Sequence, residues 1–217
     1  MYLSRIALNA KRRETMQALV IPPIMHGAVE KSFEGERQRN LWRVDWMGDN
    51  CFLLVLSGEQ SDFTHLVGQF GYTNYKQGWE TKDYRPLLTK LKEGDTWNFR
   101  LRANPTQSSF KEKDEGTGRG KVHAHVTQDQ QRQWLMKRSE NCGFKLNEQT
   151  FDVTHTQWEK FPNSRKGIRQ VTIRTATFEG LLTITDLEQF KATLTTGIGR
   201  AKAYGCGLLT IALRKGE

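Results

Sequence analysis

Apolar and polar positions alternate over residues 2–8, with Tyr2, Ile6 and Leu8 on one side, which predicts an opening strand. Residues 11–19 are compatible with a helix, Met16 and Leu19 being spaced for one face. Pro22 and Pro23 interrupt it, because proline lacks an amide donor and restricts the residue before it. A second helix can begin at these prolines and carry Ile24, Met25, His26, Val29, Lys31 and Phe33. The charged residues 34–40 read as loop. Residues 41–46 (LWRVDW) alternate strictly, with Trp42, Val44 and Trp46 on one face. Residues 51–56 (CFLLVL) are a continuous apolar run of strand length, and the turn residues between the two runs predict a hairpin. Residues 61–70 read as a helix capped by Ser61 or Asp62, and residues 79–84 as a weak strand. Strand, helix, strand, strand, helix, strand is the ferredoxin-like order.

Residues 86–94 read as a charged, loop-like connection, after which residues 96–103 (TWNFRLRA) alternate until Asn104-Pro105 stops them. Residues 106–121 are polar and glycine-rich and read as a mobile loop. Thr127 with Gln130 forms a capping box for a helix to about residue 141 that buries Trp134 and Leu135, with Gly143 as its stop. Residues 151–161 and 169–178 read as the arms of a hairpin around the turn-rich residues 162–167. Residues 181–184 extend a strand, Asp186 caps a helix to about residue 194, and residues 208–213 form a last strand. The second half repeats the order of the first. The expected fold is α+β, two tandem ferredoxin-like (RRM-like) domains at residues 1–88 and 95–217.

Charge adds a partner class. The formal net charge is +9, which favours a polyanion, nucleic acid first and an acidic membrane surface second, although a merely basic solvated surface has the same composition. Six Trp and eleven Phe within 36% hydrophobic residues suffice for a core and exclude global disorder. Cys51, Cys142 and Cys206 are odd in number and widely spaced, which argues against a disulfide framework or a cysteine zinc site and fits a reducing cytoplasm. The first ten residues are too polar for a signal peptide, and no run is long and apolar enough for a membrane span. A cytoplasmic protein without membrane contact is expected.

Candidate chemistry starts with His26, near the start of the second helix. An imidazole gives or takes a proton near neutrality, so His26 can be a general acid or base; a lone surface histidine is the commoner alternative. Lys31 lies about 140° further around the helix, and its long side chain can reach a phosphate that His26 touches. His123 and His125 point the same way on a strand but lack a third ligand for a metal, and His65 and His155 have no recognisable partner. Residues 160–174 contain Lys160, Arg165, Lys166, Arg169 and Arg174 and no acid; such a tip can probe phosphates or be a solvated loop. In residues 197–207 (GIGRAKAYGCG), glycines let backbone amides approach a phosphate while Arg200 and Lys202 add charge. The stretch matches neither a Walker A loop nor the dinucleotide fingerprint, and a tight structural connection is its alternative.

Three segments together resemble the CasE family, the hairpin-processing endoribonuclease of type I-E Cascade: MYLSRIAL at the start, FRLRANP at residues 99–105, and GIGRAKAYGCGLL at residues 197–209. The resemblance spans the chain. It implies two tandem ferredoxin-like domains and, as substrate, precursor CRISPR RNA bound through its repeat stem-loop. It also implies attack of the RNA's own 2′-hydroxyl on the adjacent phosphate, giving a cyclic phosphate without metal or other cofactor. The product stays bound, and the protein becomes a Cascade subunit beside the others. His26 matches the family's catalytic histidine, and Lys31 is then the expected charge stabiliser. Lys160, Arg165, Lys166 and Arg169 are expected on the RNA stem, with Arg100, Arg102, Arg200 and Lys202 near the cut. Some relatives carry a tyrosine just before the histidine, where this chain has Pro23-Ile24-Met25; a tyrosine's help is then absent or comes from elsewhere, such as Tyr2 or Tyr204. A non-catalytic RNA-hairpin-binding subunit and a basic protein-interaction module are the competing readings.

Overall fold

The computed structural model describes residues 1–34, 38–72, 78–113, 120–162 and 170–214. The first half runs β1 (Tyr2–Leu8), α1 (Arg13–Val20), α2 (Pro22–Glu30), β2 (Leu41–Met47), β3 (Asn50–Ser57), α3 (Thr64–Phe70) and β4 (Trp79–Asp83). These strands form an antiparallel sheet in the order β2-β3-β1-β4. After α4 (Arg85–Lys90) come β5 (Thr96–Ala103), β6 (Thr106–Lys113), β7 (Gly120–Ala124), α5 (Gln128–Ser139), β8 (Phe144–Pro162), β9 (Gln170–Ile184), α6 (Leu187–Thr196) and β10 (Leu209–Ala212). The second sheet is ordered β10-β5-β9-β8, so each half places its first strand between its third and its fourth. That is the ferredoxin-like arrangement twice over, with a β6–β7 hairpin inserted into the second copy.

Several local details differ from the pattern. Residues 106–113 and 120–124 are paired strands, with Thr106 opposite Ala124 and Ser109 opposite Lys121. A backbone ladder needs no apolar face, so a polar ribbon carries no hydrophobic alternation to reveal it. Residues 85–90 are helical, with Pro86 in the first turn, and Leu87 and Leu88 pack on the larger core. In α1 the buried residues are Thr15 and Ala18, whereas Met16 is 47% exposed. Thr15 Oγ1 donates to the Phe70 carbonyl at 2.9 Å, and the small residues let α1 approach its neighbours. The capping box of Thr127 and Gln130, the left-handed Gly143 and the Asp186 cap form as expected.

One core lies between the first sheet and its helices, built from residues such as Ile6, Leu53, Met25, Val29, Leu66 and Phe70. The larger core centres on Leu101, Phe178, Leu135 and Phe190 but also takes in Leu41 and Leu56 of the first sheet. The first sheet is thus covered by helices on one face and by the second half on the other. Between the halves lies Arg43 of β2, 1% exposed. Its Nε and Nη2 donate to the Asp45 carboxylate at 2.8 and 2.7 Å. Its Nη1 donates to the carbonyls of Arg100 and Leu208, both at 2.8 Å, and Nη2 also donates to Thr210 Oγ1 at 2.8 Å. One guanidinium therefore ties β2 of the first sheet to β5 and β10 of the second.

Candidate functional site

A cavity of about 630 Å³ opens between the halves. The first half supplies His26, Glu30, Gln38, Arg39 and Asn40, and the second supplies residues 199–203 of the glycine loop, including Arg200 and Lys202. The wall from α2 follows from its sequence. Pro22 and Pro23 occupy the first turn, where a missing amide donor costs nothing. Pro22, Met25, Ala28 and Val29 turn to the core, which leaves His26 and Glu30, one turn apart, toward the cavity. His65 Nε2 meets the Ala28 carbonyl at 3.0 Å, so that histidine ties α3 to the helix carrying His26.

The facing wall is held in a backbone shape that side chains resist. Gly197, Gly199, Gly205 and Gly207 have positive φ, and Ala201, at φ 62°, is the non-glycine residue with positive φ among those described. Ile198 donates to the Gly207 carbonyl at 2.9 Å, and Gly207 donates to the Arg102 carbonyl at 2.7 Å, closing the loop over β5. Arg102 grips it from the side: Nη1 donates to the carbonyls of Tyr204 and Gly205 at 2.9 and 3.1 Å, while Nη2 pairs with Glu159. At Gly205 (φ 73°) an added Cβ would stand 2.7 Å from the Trp42 ring. Gly205→Ala should therefore lose about 1–3 kcal/mol of stability, combining left-handed strain with a steric clash. Thermal unfolding checks this, and an unchanged midpoint would mean that the loop is slack.

The cavity is electropositive, with Arg39, Arg200 and Lys202 against Glu30. Lys202 Nζ donates to the Thr196 carbonyl at 2.6 Å, and burial, followed by the nearby Arg39 charge, lowers its pKa. Asn40 is 6% exposed, and its Oδ1 finds no hydrogen-bond partner among the described residues. A small anionic group fits this combination of an imidazole, three cations and an amide.

A family model described as CRISPR associated protein matches residues 1–212. The chain belongs to that family. This CRISPR-associated protein is 30% identical to the CRISPR-associated endoribonuclease Cse3 of Thermus thermophilus, over 98% of the chain and 100% of the relative. It is 28% identical to the Cascade subunit CasE of Escherichia coli, over 57% of the chain and 61% of that protein. It also matches a solved structure of Thermus thermophilus Cse3 bound to an RNA representing a pre-cleavage complex, with a TM-score of 0.73, 28% identity, and coverage of 97% and 98% of the two chains. The CasE resemblance carried by the three sequence segments is borne out.

In this CRISPR-associated protein, three of the ten candidate residues share the cavity: His26, Arg200 and Lys202. Lys31 is exposed at the C-terminal cap of α2 and does not line it. Arg100 is ion-paired to Asp45 at 3.3 Å and Glu179 at 2.7 Å, and with Arg102 it lines a second groove beside Trp42, Trp46 and Tyr204. Lys160 is exposed on β8, while Arg165, Lys166 and Arg169 lie outside the described residues. Tyr204 packs edge-on against Phe161, and neither it nor Tyr2 lines the His26 cavity. Sequence reading missed Arg39 and Asn40, which stood in a segment with no pattern beyond charge. Among the described residues no three His, Cys, Asp or Glu side chains converge as a metal site, and no helix is long and apolar enough to cross a membrane.

Proposed function

We propose that this protein is an endoribonuclease that binds the stem-loop of precursor CRISPR RNA and cleaves beside the stem. The guide RNA stays bound, with the protein as a Cascade subunit in the reducing cytoplasm that its three free cysteines fit. The observation that carries this reading is the shared cavity, in which His26 faces Arg39, Arg200 and Lys202. The 2′-oxygen forms a bond to the adjacent phosphorus, the bond from phosphorus to the 5′-oxygen breaks, and the products end in a 2′,3′-cyclic phosphate and a 5′-hydroxyl. His26 moves protons between these oxygens, and the cations stabilise the charge on the phosphoryl oxygens. Lys31 touches the RNA backbone at the rim, beyond the helix that carries His26.

Labour divides between the halves. Residues 1–88 bring the histidine, and residues 95–217 bring the glycine loop and the long β8–β9 arms. Lys160 of β8, with Arg165, Lys166 and Arg169 that follow it in sequence, grips the stem; Arg102 anchors the glycine loop, and Arg100 contacts the RNA near the cut. Stem recognition then rests on shape and phosphate contact, so affinity falls steeply with salt. The test is a labelled repeat hairpin incubated in EDTA, beside the same RNA with 2′-deoxyribose at the cut nucleotide. Only the first should be cleaved. Cleavage of both would refute 2′-hydroxyl attack, and tight binding without cleavage of either would favour a non-catalytic hairpin-binding subunit. That second reading is kept because no tyrosine among the described residues lines the cavity.

A further inference from the structure

A second cavity, of about 880 Å³, adjoins the His26 cavity. It lies between the start of β6 and the exposed face of α5. Its walls are rich in amides and hydroxyls, including Gln107, Ser108, Gln130, Gln133 and Asn141. Its charged side chains are Lys137, Arg138 and Arg200 against Asp129. Arg138 stacks over the Trp134 ring at 4.8 Å, which leaves a cation and an aromatic side by side on the wall. Burial, and then the Lys137 charge, lowers the pKa of His125 on the same wall.

Arg200 lines both cavities. Gly199 beside it approaches Trp134 so closely that an added Cβ would stand 3.3 Å from the indole. The glycine loop is therefore a shared partition, and its outward cation can reach phosphates on either side. A polynucleotide with its scissile phosphate against His26 must continue in both directions. Paired nucleotides are sequestered in the stem, so an amide-rich, cationic pocket suits unpaired ones, whose exposed base edges need donors and acceptors and whose phosphates need charge.

We infer that this second cavity binds the unpaired RNA that continues from the scissile phosphate away from the stem, with Arg200 bridging the two sites. This rests on the endoribonuclease reading above. The strand's first unpaired base meets the amides of Gln133 and Gln130, its phosphate meets Lys137, and the His26 phosphate is held in register by a grip on both of its flanks. The cavity thereby places the cut at the base of the stem.

The experiment uses the full chain and two hairpin RNAs with 2′-deoxyribose at the cut nucleotide. One ends at the scissile phosphate, and the other carries four unpaired nucleotides beyond it. Wild type is compared with the double variant Gln133→Ala/Lys137→Ala, both positions being exposed. Wild type should bind the tailed RNA about tenfold more tightly, as expected for one additional phosphate and base contact. The variant should lose that gain while binding the tailless hairpin as wild type does, with an unchanged thermal midpoint. An equal gain from the tail in both proteins, or no gain in wild type, overturns the inference. Equal weakening on both RNAs overturns it too, because the cavity would then hold the stem. Failure of wild type to bind either hairpin would instead remove the functional reading on which the inference stands.

Discussion

His26→Ala should lower the rate of hairpin cleavage by roughly 10²–10⁴-fold, the range that a positioned proton-transfer group supplies, and leave hairpin binding intact. The separation is expected because binding and chemistry draw on different groups. In the function proposed above, stem affinity comes from cations of the second half and depends on salt. The histidine sits on α2 of the first half, whose buried side packs through Met25 and Val29. The loss should appear in single-turnover cleavage with excess protein, so that retention of the product does not mask it. A variant that still cuts at an unaltered rate would move the proton chemistry elsewhere in the cavity, with Glu30 and Lys202 the groups to examine next. A variant that no longer binds would make His26 a contact residue.

Arg43→Met should cost about 3–5 kcal/mol of stability, the scale for removing one partner from a buried ion pair. Methionine roughly fills the volume, but Asp45, 8% exposed, keeps among the described residues only the 3.3 Å ion pair to Arg100. The carbonyls of Arg100 and Leu208 lose a donor at the same time. Urea unfolding measures the effect, and a loss under about 1 kcal/mol would mean that the packing of Leu41 and Leu56 alone holds the halves together. The variant should also cut slowly. The cavity has one wall in each half, and the clamp helps set their separation, so a small displacement would take His26 out of line with the cations.

The sheet elements were readable in advance where one face was apolar. Ile6 and Leu8 of β1, the run in β3 and the alternation in β5 all declare a core side, and the matching order in the two halves then implies the tandem fold. The β6–β7 hairpin and α4 were not readable, because a polar ribbon has no alternation and a six-residue helix has too few turns to show a period. Met16 and Leu19 share a groove as their spacing implies, but the deepest burial in α1 falls on the small residues Thr15 and Ala18, and Thr15 is held by a hydrogen bond rather than by hydrophobicity.

Residue chemistry by itself determined that this chain is basic, that its element order repeats as two ferredoxin-like halves, and that the glycine loop is its unusual feature; His26 was singled out by the CasE resemblance. Those properties are local: periodicity, capping residues and glycine spacing act over a few positions. Only the tertiary structure decided which cations join the histidine. Arg200 and Lys202 meet His26 and Arg39 across an interface that brings together segments roughly 160 to 175 residues apart in sequence. It also decided that Arg43 is a buried clamp and not a surface charge, because a strand with alternating residues buries both faces once a second domain covers the outer one.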